Sequence, residues 1–463
     1  MHLALNSTPF KGTPEAVTET GTYCPVSFWQ ETISVTPRPS LQTDINCDVA
    51  IVGGGFTGLA VACELKKSAP MLRVALLERS VAGHGASGRN GGFAMPLIGW
   101  DLTDAVRQLG EQKAAEAYRL MYEAVNHFKK TIRRHNIACD LEETGYLLLA
   151  TCPARLKRVK HEADLGKRLG FDIEYLEGAA LRAHIGSKAF IGGAYDPHPA
   201  IVNPAKLARG LLDVAVNLGV QVFEQTPLVE LNDGDPITLR TPAGSIKSKQ
   251  VVLALNGYGG ALGFMESRIQ PVHTYIVLTE PLTEKDLDAI GWAEKRTSLE
   301  TARNFIHYFR LTADNRILFG GEDASLFYKG AYYDVHSPSF ARLEARFRAY
   351  FPELNHVKIT HRWGGVLGVT LDMFPTFGVG GEKHTIYHAC GYSGHGVALS
   401  NYAGVILAPH ILNRAGLADP GAGVDKPFFW NRRPMAVPGE PIRYLGLQAY
   451  RMALHTQDWW EGA

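Results

Sequence analysis

Val49, Ala50, Ile51 and Val52 form an unbroken apolar run, the pattern of a short strand buried on both faces. The period then changes, because Leu59, Ala62 and Leu65 recur at helical spacing. A second strand over 73–77, apolar from Val74 to Leu77, ends in Glu78, so the pattern predicts strand, turn, helix and strand in immediate succession. Helical periodicity returns over 101–135 through Leu109, Ala114, Ala117, Leu120, Ala124 and Phe128. Next come a strand over 141–150, a charged helix over 153–169 and a short helix over 176–184. Asn203 and Pro204 open a helix to 218, with Asn203 as N-cap and Gly219 as the stop. Strands are predicted over 220–229 and 250–255, the second parallel to the first unit and ending at Asn256. Residues 271–280 and 305–321 read as antiparallel strands of a different unit, with a turn at Ala313, Asp314 and Asn315. A helix over 338–351 and a strand over 385–389 follow, then a helix ending near 413 and a last one near 445–454. Residues 1–44, rich in Thr, Pro and Ser, read as an extended arm docked through Phe28 and Trp29.

Glycine placement gives the first strand–helix junction a chemistry. Gly53, Gly55 and Gly58 fall as G-x-G-x-x-G between strand and helix, and Glu78 stands twenty residues after Gly58. That order suits a dinucleotide: a tight turn, close approach of a pyrophosphate, and close helix–strand packing. The helix N-terminus, with Phe56 and Thr57 in its first turn, directs unpaired N–H groups at the diphosphate. Glu78, followed by Arg79, is placed to accept hydrogen bonds from ribose hydroxyls. In a chain with 48 glycines the three alone would say little; their register with strand, helix and acid carries the reading.

Two further glycine-rich stretches stand out. Residues 83–92 hold five glycines around Ser87, Arg89 and Asn90. Either they form a flexible loop, or a backbone passing close to a flat cofactor, with Arg89 as a fixed cation. Residues 390–400 again join a strand end, glycines and a helix start, where the helix dipole would stabilise a reduced flavin. His395 there either bonds the ring system or substrate, or caps its own helix. Trp363 and Tyr392 are candidate walls of an aromatic cage for an amine, against the alternative of core packing.

Composition removes several classes. Lys and Arg number 47 against 46 Asp and Glu, so the chain carries no electrostatic footprint for nucleic acid. Six cysteines show no CxxC pair, and neither H-x-x-x-H nor H-E-x-x-H occurs, so no metal is expected. Small buried thiols fit a reduced, cytoplasmic setting. No run of eighteen apolar residues occurs, so a soluble chain without membrane contact is expected. A G-x-S-x-G elbow is absent, which argues against a serine hydrolase.

The 48–78 unit, GHGASGRNGG over 83–92 and GYSGHGVALS over 391–400 together resemble the D-amino-acid oxidase/sarcosine oxidase superfamily of flavoproteins. The likeness is nearest to its gamma-glutamylputrescine oxidase-like branch, which the stretches 271–282 and 308–321, the Ser27-Phe28-Trp29 entry and the Arg/Tyr tail also resemble. The resemblance runs from about Ser27 onward and implies an α/β fold. An FAD-binding, glutathione-reductase-like Rossmann domain would be assembled from 45–135, 196–260 and 346–415. A β-rich α+β substrate domain would be inserted as 136–195 and 261–345, with 1–44 as an arm and 416–463 as a tail packed on the globule. It implies oxidation of an amine C–N bond, hydrolysis of the imine, and reoxidation by dioxygen with release of hydrogen peroxide. An amino-acid dehydrogenase using another acceptor, and an FAD-holding protein with a structural or tRNA-modification role, stay open.

By the same resemblance, Gly53, Gly55 and Gly58 hold the diphosphate, Glu78 the ribose, and Leu228 meets the adenine by its main chain. Ser87, Arg89, Asn90, Gly91 and Gly92 line one side of the flavin. Asn256 lies with them, and Gly391, Gly394, His395, Gly396 and Val397 face its pyrimidine end. Three departures bear on chemistry. No Cys stands within 362–369 to tether the flavin, which implies non-covalent FAD. Leu318 stands where sarcosine oxidases place an oxygen-activating lysine. Gly92 and Ala398 stand where those enzymes hold a carboxylate, so the reacting carbon of the amine substrate need not carry one; Arg303 or Arg310 either meets a remote carboxylate or is a surface or structural arginine.

Overall fold

A computed structural model describes residues 1–4, 23–417 and 426–461. Two large sheets organise them. In the nine-stranded sheet, Ile45–Val52 lies between Val74–Leu77 and Ser245–Leu253, parallel to both. Gln221–Phe223 and Ile386–Cys390 add two more parallel neighbours. Glu230–Asn232, Ile237–Arg240 and Ser245–Leu253 form an antiparallel meander at one side. The helices Phe56–Ser68, Pro204–Asn217 and Gly396–Arg414 bury Leu59, Leu65, Leu207, Leu211, Leu407 and Ile411 in a core with Val49, Ile51 and Leu76. A strand covered on both faces has no use for a polar side, which is why its sequence reads as a continuous apolar run.

The eight-stranded sheet runs Ile359–Val369, Gln270–Thr279, Ile317–Ser325, His307–Leu311, Ser298–Thr301, Tyr146–Ala150, Gly192–Asp196 and Glu174–Leu176. All neighbours are antiparallel except Ser298–Thr301 against Tyr146–Ala150. Strand alternation sends Leu147, Leu149, Leu299, Phe309 and Phe319 to a core closed by Trp292, Phe347 and Phe351. The residues between them, Tyr146, Leu148, Glu300 and Tyr308, face a cavity on the other side. Burial of one face is therefore what orients the other.

Several expectations change. Residues 2–4 of the expected arm form a strand, His2–Ala4, on the meander edge, and Phe28–Glu31 is a short helix capped by Ser27. Residues 5–22 of that arm lie outside the described residues, as do 418–425 and 462–463 of the tail. The helix over 101–135 is two, Leu102–Leu109 and Glu111–Arg134, broken where Gly110 adopts φ +79°. The strand over 141–150 starts only at Tyr146. The strand over 220–229 is only Gln221–Phe223, because the chain turns at Gln225, whose φ is +50°. Ile359–Val369, expected within the nucleotide domain, pairs along Gln270–Thr279 in the other sheet. Its glycines at 364 and 365 belong to that strand, where Gly364 leaves room for the Tyr275 ring. Ser337–Tyr350 packs its Leu343 and Phe347 into the core of that same sheet. The last helix is longer than the pattern indicated, Ile442–Trp460. It is fastened by buried Asp458, which accepts from Arg155 at 3.0 Å and from the backbone of Asn304 and Phe305.

Candidate active site

The first cavity, about 240 Å³, opens at the C-terminal ends of the parallel strands. Gly53 adopts φ +111°, and a Cβ at Gly58 would lie 1.9 Å from the Gly53 carbonyl oxygen, so turn and helix approach as only glycines allow. Ser87 Oγ accepts from the Phe56 amide at 3.0 Å, which ties the second glycine-rich stretch to the first. Glu78 accepts from the amides of Gly54 at 2.7 Å and Ser80 at 2.8 Å, and burial raises its pKa. Around it the walls carry Gly53, Gly55, Phe56, Thr57, Arg79, Leu228 and Asn256, then Ser87, Arg89, Asn90, Gly394, Gly396 and Val397.

The second cavity, about 450 Å³, lies under the free face of the eight-stranded sheet. Both cavities are lined by Ala86, Arg89, Asn90, Leu367, Gly394 and Val397, so the two meet there. Gly91 and His395 line the larger cavity. His395 makes no side-chain cap to its helix, and its Nδ1 is buried without a partner. Burial pushes His395 down to about 4, so the imidazole is neutral at neutral pH.

Other expected site residues stand elsewhere. Trp363 lines neither cavity: it is 2% exposed, packs with Trp29 and Leu318, and donates from Nε1 to the Arg89 carbonyl at 2.7 Å. Tyr392 lines the smaller cavity, bonded to Thr57 Oγ1 at 2.7 Å, and so is no wall of an amine cage in the larger one. Arg310 is fully buried, with Nη1 donating to the Val202 carbonyl at 2.7 Å and the guanidinium over the Trp29 ring. Burial lowers its pKa to about 10. It holds backbone, away from both cavities, whereas Arg303 lines the larger one. Arg89 lines both cavities but is no free cation, because Asp334 pairs with it at 2.7 Å in a buried contact. Gly58, Gly92 and Gly391 line neither cavity. Gly58 serves packing, Gly92 donates to Asn90 Oδ1 at 2.7 Å, and Gly391 donates to Asn256 Oδ1 at 3.0 Å. Leu318 and Ala398 are buried away from both cavities.

Sequence reasoning missed the acids and phenols of the larger cavity. Asp101 and Asp104 share Arg158, Tyr122 donates to Asp196 at 2.7 Å, and Asp323 is held by Arg342 and Arg451. Glu162 accepts from the Leu102 amide at 2.7 Å; burial, with Asp101 beside it, pushes its pKa up to about 7. Glu300 lines the same wall as Tyr146, and burial pushes it up to about 8. A polar residue alternating with Leu299 in a buried strand was the one signal for Glu300, and it is too short to read alone. No group of His, Cys, Asp or Glu among the described residues is arranged to hold a metal, and no described helix is long and apolar enough to cross a membrane.

The smaller cavity suits a dinucleotide: a glycine cradle at a helix N-terminus and a carboxylate at the second strand's end. Comparison with known proteins agrees. Residues 48–409 match the model of the DAO family, FAD dependent oxidoreductase. The chain is 32% identical over 407 residues to gamma-glutamylputrescine oxidoreductase of Escherichia coli, covering 87% of this chain and 92% of that protein. It is also 32% identical over 382 residues to the probable oxidoreductase OrdL of Haemophilus influenzae, covering 81% and 85%. Among solved structures, glycine oxidase from Geobacillus kaustophilus superposes with a TM-score of 0.68 at 22% identity, over 84% of this chain and all of that one. A glycine-cradled dinucleotide cavity opening onto a second, acid-lined one, with a family match across most of its length, makes this chain a member of the DAO family of FAD-dependent oxidoreductases.

Proposed function

We propose that the protein oxidises the C–N bond of a primary or secondary amine to an imine that water then hydrolyses, with dioxygen as final electron acceptor and hydrogen peroxide as product. The observation that carries this reading is the larger cavity meeting the dinucleotide cavity at Asn90, Leu367 and Gly394 beneath a sheet face of acids and phenols. When bound, FAD supplies the two-electron acceptor for the oxidation. Gly53, Gly55 and Thr57 hold its diphosphate at the helix N-terminus, Glu78 its ribose, and Leu228 its adenine. Asn90, Gly394 and Val397 flank its ring end, with neutral His395 beside them. No cysteine lines either cavity, which supports a non-covalent cofactor.

The substrate is proposed to carry its polar groups away from the reacting carbon. Gly92 and Ala398 offer no charge for an α-carboxylate, whereas Arg303 and Asn304 line the larger cavity with Arg303 Nε and Asn304 Nδ2 buried and unpartnered, Arg303 Nη2 standing 3.8 Å from Asp458 Oδ2. Those donors suit a remote carboxylate or acyl oxygen, such as the glutamyl end of the amine named for the Escherichia coli relative. A second reading, electron transfer to an acceptor other than oxygen, is favoured by one observation: among the described residues no lysine lines either cavity. Anaerobic mixing with sarcosine, small D-amino acids and acylated diamines separates these readings. Bleaching of the yellow enzyme by the acylated diamines, restored by air, supports the amine oxidase. Bleaching that air does not reverse supports the other acceptor, and a wide lead for sarcosine overturns the substrate assignment.

A further inference from the structure

Glu300 is an acid of the larger cavity with no ion-pair partner among the described residues, Arg158 acting on it only from beyond contact. The other carboxylates there are answered from within: Asp101 and Asp104 by Arg158, Asp323 by Arg342 and Arg451, Asp196 by Tyr122 and His198, and Glu162 by backbone amides. Glu300 is 8% exposed and lines the cavity beside Tyr146. No Lys, Arg or His among the described residues stands in ion-pair contact with it. Its position is imposed by the fold, since Leu299 points into the core and Glu300, one residue on, must face the cavity. Tyr308, its partner on the antiparallel neighbour, brings a phenol ring to the same wall. A carboxylate so buried is costly to ionise alone and favourable once a cation arrives. Flanking aromatic rings favour the same visitor.

The amine that is oxidised cannot be that cation. Hydride leaves the carbon bearing a neutral amine, and a carboxylate in contact would hold the amine in its charged form. Glu300 is also absent from the group of residues where the two cavities meet.

We propose that Glu300, beside Tyr146 and Tyr308, is the anchor for a second ammonium group of the substrate, carried on a chain beyond the amine that is oxidised. Resting on the amine reading above, this assigns the substrate to diamine- or polyamine-derived compounds that keep a second positive charge. Glu300 is then a specificity-determining residue, and the chain length between the two nitrogens is read by its distance from the meeting point of the cavities.

The test uses the dithionite-reduced holoenzyme, which binds amines without turning over. Calorimetric titration compares a series of α,ω-diamines with monoamines of equal length, at a pH where the distal nitrogen is protonated. For the tightest diamine, wild-type enzyme should favour it over its monoamine by about thirtyfold, as for a buried charge-assisted contact. In Glu300→Gln, at unchanged flavin content, that preference should fall to within about threefold. Glu300→Asp keeps the charge and retracts it by one methylene, so the preferred diamine should lengthen. A preference that survives Glu300→Gln, or an Asp variant with an unshifted length optimum, overturns the anchor while leaving the amine reading intact. Wild-type enzyme that binds no amine of either series, yet binds small α-amino acids, overturns the amine reading and the anchor with it.

Discussion

Arg89 Nη1 stands 2.7 Å from Asp334 Oδ1, both side chains buried, where the two cavities meet the eight-stranded sheet's flank. Arg89 Nε also donates to the His84 carbonyl at 2.7 Å, and its backbone carbonyl accepts from Trp363. The residue that reads in the sequence as a cation reserved for the flavin is therefore also a rivet between the glycine-rich loop and the segment carrying Asp334. Arg89→Ala leaves Asp334 charged and unpaired, and should cost about 3–5 kcal/mol, seen as a lowered Tm along with reduced flavin content. Arg89→Ala combined with Asp334→Ala should recover part of that Tm. A single variant with wild-type Tm and reduced flavin would restore the cofactor-only role.

Gly58→Ala should weaken FAD binding while the chain stays folded. Its added methyl would press on the Gly53 carbonyl at 1.9 Å, and both atoms belong to the turn that must approach the diphosphate. FAD affinity should fall by about tenfold or more, read by titrating stripped protein with FAD. Unchanged affinity would mean that the turn tolerates displacement.

Acid precipitation should release all the yellow colour into the supernatant, because no cysteine lines either cavity and Cys390, buried, has its thiol pushed up to about 12. Flavin that stays with the washed pellet would contradict a non-covalent cofactor.

Substrate-free enzyme should show a Glu300-dependent loss of stability as pH rises. Its folded pKa, about 8, lies above its ordinary value of 4.5, so the folded state retains a proton that the unfolded state has released. Stability from this group is full below the unfolded pKa and is lost as pH climbs from about 5 to about 8. Glu300→Gln removes that dependence, so its Tm should gain on wild type across this window. Parallel Tm curves would show that Glu300 titrates normally.

Asp458→Asn should weaken substrate binding more than flavin binding. Asp458 holds Arg155 and the amides of Asn304 and Phe305, and the helix that carries it lines the larger cavity through Leu447, Tyr450 and Leu454. KM should rise with flavin content unchanged; equal loss of both would mark a general structural role.

Local patterns were sufficient wherever the chemistry is local. The strand–glycine–helix–strand–acid unit lies within one short stretch, each part constrained by its neighbours, and Glu78 stands beside the turn that the spacing specified. Asn203 likewise caps the helix it opens, accepting from the amides of Ala205 and Lys206. The substrate side was not legible, because facing a cavity is settled by partners far away in the chain. Arg303 and Arg310 look alike in sequence, yet the pairing of His307–Leu311 with Ile317–Ser325 turns Arg310 onto the Val202 carbonyl and the Trp29 ring. Trp363 was drawn from the cavity by a strand pairing that joins it to the second sheet. Glu300 sits in a strand of four residues, too brief for its alternation to show. Only the packed sheet, by burying Leu299 on one side, decides that Glu300 faces the other, because a strand's two faces are distinguished by what covers them.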